Sequence, residues 1–142
     1  MTGRCPECGF DGSGLSPTDA VVALRSFPRR FAALTDPQSD DEDRPEVDPA
    51  RVDAEATAAA AGIAAAGAAM RRVLIEQDPV LAEAPAPATL EEATASVAAL
   101  AESTSGRDWA RTGTRQGQVV TALDLLREAV HAGAHHLRLA GD

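Results

Sequence analysis

The sequence has no tyrosine, and its aromatic residues reduce to Phe10, Phe27, Phe31 and Trp109. A sheet sandwich or barrel draws heavily on aromatic and β-branched side chains, so this scarcity, beside an abundance of alanine, favours closely packed helices. No stretch shows the alternation of a strand. Basic residues are in deficit: the formal charge is −9 and the isoelectric point about 4.7. Nucleic-acid binding needs a basic face and is not expected. No uninterrupted apolar run approaches the roughly 20 residues of a membrane span, and MTGRCPECG lacks the charged-then-apolar pattern of a signal peptide. The expectation is a soluble, cytoplasmic protein with no membrane partner. Only two cysteines occur, Cys5 and Cys8, and that spacing suits metal or redox chemistry better than a structural disulfide. No histidine precedes His131.

What is present is concentrated at the two ends. The chain has 142 residues, enough for one domain with a real core. Its last amphipathic stretch, Gln118 to Leu139, carries all three histidines. Val120, Leu123, Leu126, Val130, Ala134 and Leu137 recur at steps of three and four, which predicts one apolar stripe of a helix. Asp124, Glu128, His131 and His135 form a second row along one flank. His131 and His135 are four apart, so both imidazoles can converge on one metal ion. Asp124 and Glu128 would then be supporting acceptors or substitute ligands. The plainer reading is a polar border beside the buried stripe. His136 is about 100° round the helix from its neighbour and reads as a solvent-facing cation near the helix C-terminus.

At the other end, residues 1–15 form a Gly-rich head in which Gly9 permits the turn that aims Cys5 and Cys8 to one side. A site of four cysteines has no second pair here. Three readings stay open: a remnant or redox dithiol; one mixed site with His131 and His135; or a site completed by another subunit. Spacing alone does not bring the two ends together.

Between the ends lie three more predicted helices. Ser16, Pro17 and Asp19 start the first, which runs to about Thr35 with Val21, Leu24, Phe27, Phe31 and Leu34 on its face and Pro28 as a kink. Arg25, Arg29 and Arg30 are a solvated side or an anion-attracting cluster. Asp36 to Pro49 is an acidic, proline-rich loop that lacks the glycine and glutamate of a calcium loop. Asp48 and Pro49 start an Ala-rich second helix reaching about Gln77, where Gly62 and Gly67 allow close approach of a neighbour. Ile63, Met70, Val73 and Leu74 are its core, and a dimer through its alanine face is one expectation. A Pro-rich connector, Val80 to Ala88, precedes a third helix capped by Thr89 and Glu92. Its face is Leu90, Ala93, Val97, Leu100 and Ala101. Residues 105–117 read as a loop in which Trp109 is a lid. Arg111 and Arg115 are the candidates for holding an anionic substrate or thiol. The fold expected is all-α, a four-helix bundle over residues 16–142 with the short Cys-containing head.

Three segments carry a family resemblance: CPECGFD at the start, RRVLIEQDPVL in the middle, and DWARTG followed by VTALDLLREAVH and HHLR at the end. Together they resemble actinobacterial members of the DinB-like superfamily, which includes mycothiol-dependent maleylpyruvate isomerases and thiol S-transferases. The resemblance is strongest over residues 107–138. It implies a divalent metal, zinc or nickel, bound by histidines that match His131 and His135, with a low-molecular-weight thiol such as mycothiol attacking an electrophilic small molecule. The family's third histidine belongs near Ala58 to Ala60, where this chain has none. Either the metal is lost, or Glu55, Asp124, Glu128 or the cysteines replace the missing ligand. No catalytic acid or base is identified. Glu128 and His131 also match a di-iron element, but two such elements are required and one is present. A metal-dependent thiol transferase or isomerase, a zinc-stapled bundle without catalysis, and a metal-free interaction scaffold are the competing functions.

Overall fold

The computed structural model describes residues 4–36, 47–82 and 87–141. Most of the acidic loop expected at 36–49, and part of the Pro-rich connector, lie outside the described residues. Among the described residues four α-helices dominate: α1 (Pro17–Leu34), α2 (Pro49–Ile75), α3 (Leu90–Glu102) and α4 (Ala122–Ala140). A 3-10 turn, Gly106–Ala110, and an antiparallel hairpin of β1 (Thr112–Arg115) and β2 (Gln118–Thr121) separate α3 from α4.

The helix starts follow their local chemistry. Ser16 Oγ accepts the Asp19 N–H at 3.1 Å, and Asp48 accepts that of Ala50 at 3.0 Å. Each satisfies an amide that the helix leaves without an internal partner. Thr89 with Glu92, and Thr121 with Asp124, form reciprocal capping boxes. At the start of α4, Asp124 N–H donates to Thr121 Oγ1 at 3.0 Å and Thr121 N–H donates to the Asp124 carboxylate at 2.9 Å. Replacing Thr121 by Ala is expected to cost about 1 kcal/mol, readable as a fall in the urea midpoint at constant slope. No loss would mean that the hairpin, rather than the cap, sets where α4 begins.

The hairpin corrects two expectations. Residues 112–115 are a strand rather than loop, and α4 begins at Ala122 rather than Gln118. Gln116 and Gly117 both take positive φ, 53° and 78°. That is the two-residue turn whose twist matches an antiparallel pair. Thr114 also donates to Pro79 C=O at 2.9 Å and accepts from Leu81 N–H at 2.7 Å, so the connector after α2 lies along the outer edge of β1. Four-residue strands are too short for alternation to stand out in the sequence.

Each helix packs chiefly on two others. α4 lies most extensively against α2, α3 lies between α1 and α2, and α1 closes the ring against α4. The consecutive helices α1 and α2 barely touch, so their link crosses between non-neighbours. The core is small-residue packing around Leu24, Phe27, Ile63, Met70, Leu125 and Leu126, all essentially inaccessible to water. Absent side chains set the approach. A Cβ on Gly67 would stand 2.6 Å from Val97 Cγ2 of α3. On Gly133 it would stand 2.2 Å from the Phe27 ring of α1.

This packing rotates the buried stripe of α4 from its expected position. Leu125, Ala129, Gly133 and Ala140 join Leu126, Val130 and Leu137 inside, whereas Leu123 and Ala134 are only half-buried and Val120 belongs to β2. The expectation about membrane length also needs correction. Over its most apolar window α2 has a mean hydropathy of 1.4, and its 27 residues suffice by length and composition to cross a membrane. Here its Val52, Ile63, Met70 and Val73 face are buried core.

Candidate metal centre

The head folds against α4. Gly9 N–H donates to Cys5 C=O at 2.8 Å, and Cys5 N–H donates to Phe10 C=O at 2.8 Å. Gly9 has φ 78°, a left-handed conformation that a side chain would strain. The result is a tight turn with both sulfurs on one side. Phe10 stacks on the His131 ring at 5.1 Å between centroids and 11° between planes. From α4, Arg127 Nε donates to Leu15 C=O at 3.0 Å, fixing the far end of the head.

These contacts bring the ends of the chain together. One ligand atom from each of Cys5, Cys8, His131 and His135 lies within 4.8 Å of every other. Tetrahedral zinc with sulfur at about 2.3 Å and nitrogen at about 2.0 Å places its ligands roughly 3.3–3.8 Å apart, so a contraction of about 1 Å closes the set. Two ring nitrogens, His131 Nε2 and His135 Nδ1, are buried without a hydrogen-bond partner among the described residues. A buried nitrogen left unpaired is costly, and a bound cation would satisfy both. The other nitrogen of His135, Nε2, lies 3.4 Å from Glu7 Oε2, which leaves Nδ1 for the cluster. Two thiolates and two imidazoles fit zinc by ligand type, number and spacing.

The sulfurs differ in environment. The backbone N–H groups of Cys8 and then Glu7 point at Cys5 Sγ and hold its thiol below the usual range. Burial pushes the Cys8 thiol up. Donors aimed at a sulfur favour its anion, whereas desolvation disfavours it. In metal-free protein near neutral pH, iodoacetamide is therefore expected to label Cys5 before Cys8. Peptide mapping after partial alkylation reads the order, and labelling of Cys8 first would contradict this account.

The other candidate residues have different partners. Asp124 is held in the α4 capping box. Both Glu128 carboxylate oxygens accept from Arg115 Nη1, at 3.0 and 2.8 Å. Neither acid belongs to the four-residue cluster, although both line a groove of about 670 Å³ that also reaches Cys5 and His131. Arg115 stands in that groove with its charge opposed by Glu128. Arg111 stands elsewhere and donates to Val73 and Glu76 carbonyls, at 3.0 and 2.9 Å, at the C-terminal end of α2. His136 does not face solvent as expected. It is half-buried, and its Nδ1 lies 2.9 Å from Glu55 Oε2 on α2, the acid expected as a substitute ligand. Arg25 of the cationic cluster pairs with Glu102 of α3, and Arg30 lies over the Phe27 ring. Trp109 is half-buried against the core from its 3-10 turn.

Spacing does not single out Glu7, Phe10 or Arg127. Phe10 as an apolar residue in a polar head was the one available signal. The chain matches no protein-family model, no curated protein and no solved structure.

Proposed function

We propose that this chain is a zinc-stapled four-helix bundle in which Cys5, Cys8, His131 and His135 bind one ion and join the head to the last helix. The observation that carries the reading is the approach of all four ligand atoms to within 4.8 Å of one another. The two buried imidazole nitrogens that have no partner among the described residues support it as well. Four protein ligands fill a tetrahedral shell, so the site is structural rather than catalytic. Bound zinc contributes folding energy by cross-linking residues more than a hundred positions apart in sequence. The protein's own contribution is orientation. The Gly9 turn presents the sulfurs, Phe10 stacks on the His131 ring, and the Glu7 carboxylate stands 3.4 Å from His135 Nε2. The staple in turn presents a defined surface of head and bundle, the property of an interaction scaffold.

A second reading retains the chemistry implied by the DinB-like resemblance, thiol transfer or isomerisation with a low-molecular-weight thiol. It is favoured by one observation, the groove that opens on Cys5 and His131. In this reading a cysteine ligand gives up its place to the incoming thiol, and the Arg115–Glu128 pair opens to free a guanidinium for a substrate carboxylate.

Metal content separates the two, measured on protein purified without a histidine tag. One zinc per chain, lost in both Cys8→Ala and His135→Ala, supports the staple. Loss in His135→Ala with retention in Cys8→Ala supports the open site, and a cobalt-substituted sample should then change its visible spectrum when a small thiol is added. Wild-type protein that takes up neither zinc nor nickel removes both readings and leaves a metal-free scaffold.

A further inference from the structure

We propose that the Cys5–Cys8 pair is a peroxide-responsive release for the zinc, freeing the head from α4 when it oxidises to a disulfide. The inference rests on the zinc reading above and adds regulation to it. The turn that directs both sulfurs toward one ion also places them within 4.8 Å of each other, in a tight segment where backbone hydrogen bonds tie Cys5 to Gly9 and Phe10. A small movement brings them to disulfide bonding distance, about 2.05 Å. The sequence contains no other cysteine, so within one chain this pair has one disulfide available to it.

Access favours the same chemistry. Both cysteines are only half-buried, and Cys5 forms part of the wall of the 670 Å³ groove. A molecule the size of hydrogen peroxide reaches Cys5 from solvent without any rearrangement of the helices. The thiolate of Cys5 attacks one peroxide oxygen. The O–O bond breaks, hydroxide leaves and takes a proton from solvent, and Cys5 becomes a sulfenic acid. The Cys8 thiolate then attacks the Cys5 sulfur. An S–S bond forms, the S–O bond breaks, and a second hydroxide is protonated to water. In total, two thiolates, one peroxide and two protons yield one disulfide and two waters, the sulfurs giving up two electrons.

The disulfide removes both anionic ligands and leaves His131 and His135, two neutral imidazoles four residues apart on one helix. Zinc affinity depends on the thiolates, so the ion departs. Among the described residues, the contacts then left to the head are the Phe10–His131 stack, the exposed Glu7–His135 contact, the Arg127–Leu15 hydrogen bond and the packing of Phe10 and Leu15. The head loosens from α4 and uncovers Phe10 and Leu15, both packed against the core in the closed form.

The test uses the full chain loaded with zinc and exposed to hydrogen peroxide. Zinc release is followed with a chromogenic chelator, sulfur chemistry by intact mass, and the head by amide hydrogen exchange. The expected result is one zinc released for each disulfide formed, a mass lower by two hydrogens than the reduced protein, and faster exchange confined to the head. Dithiothreitol with added zinc should restore the starting state. A Cys8→His variant retains four ligands but no second sulfur, and should lose peroxide-triggered release while Cys5 alone gains oxygen. Wild-type protein that never binds zinc overturns the site itself, and the switch with it. Zinc that is bound but unmoved by peroxide overturns the switch alone, as does release accompanied by a sulfinic acid at Cys5 with Cys8 still a thiol.

Discussion

Stripping zinc with a strong chelator is expected to lower the thermal midpoint of this protein by roughly 12–16 °C, with little change in helix content. The size follows from linkage. An ion present at about a thousand times its dissociation constant stabilises the state that binds it by about 4 kcal/mol, and for a domain of this length one kcal/mol moves the midpoint by roughly 3–4 °C. Helix content is expected to survive because the core does not depend on the metal. Leu24, Phe27, Ile63, Met70, Leu125 and Leu126 are buried between the helices rather than under the head. In the zinc-stapled reading the ion would govern the head instead, from which Phe10 and Leu15 are the described apolar side chains packed against the core. Scanning calorimetry and far-ultraviolet circular dichroism, with and without zinc, measure both quantities. An unchanged midpoint in protein shown to have lost its zinc would mean that the ion does not hold the fold. Collapse of helicity on chelation would mean that the core cannot stand without it.

Phe27→Ala is expected to destabilise the protein by about 3–5 kcal/mol, the loss for removing a buried aromatic ring and leaving a cavity. Phe27 is 1% exposed and fills the space that Gly133 leaves open on α4. The reverse substitution strains the same contact. Gly133→Ala gains about 1 kcal/mol of helix propensity, but its Cβ would stand 2.2 Å from the ring. Overpacking of that kind costs about 1–3 kcal/mol; at so short a distance the upper end applies, for a net loss of about 1–2 kcal/mol. Because the residues share one volume, the double variant should be less destabilised than the sum of the single ones. Gly133 lies midway between His131 and His135, so displacing α4 should also weaken zinc binding. Urea denaturation of the three variants and a competitive zinc titration test these expectations. Simple additivity would show that ring and glycine do not share a cavity, and unchanged zinc affinity would show that α4 does not shift.

Much of the architecture was written in local chemistry. The caps at Ser16, Asp48 and Thr89, and the three- and four-residue recurrence of apolar side chains, set the helices to within a few residues, because a cap is a hydrogen bond within four residues and a stripe is a property of one helix. The hairpin is not legible in the sequence because its pairing is between strands, and each strand alone is too short to carry a pattern. The α4 stripe lies slightly out of rotation from its periodicity for a related reason. Periodicity treats a glycine as a gap, whereas Gly133 is the contact point for a ring from another helix.

The candidate site divides along the same line. The sequence by itself determined that two sulfurs at one end, and two imidazoles four apart at the other, could each face a single point, since turn and helix geometry follow from spacing. It determined too that no histidine stood where the DinB-like resemblance would place a third. Only tertiary structure decided that the two pairs meet. That depends on Phe10 finding the His131 ring and Arg127 finding the Leu15 carbonyl, contacts between residues more than a hundred positions apart. Tertiary structure likewise drew Asp124 to a cap, Glu128 to Arg115, and His136 to Glu55. Side chains of one type and spacing are equivalent in a sequence. They are told apart when folding assigns each polar group a partner, because an unpaired polar group in the interior is too costly to leave.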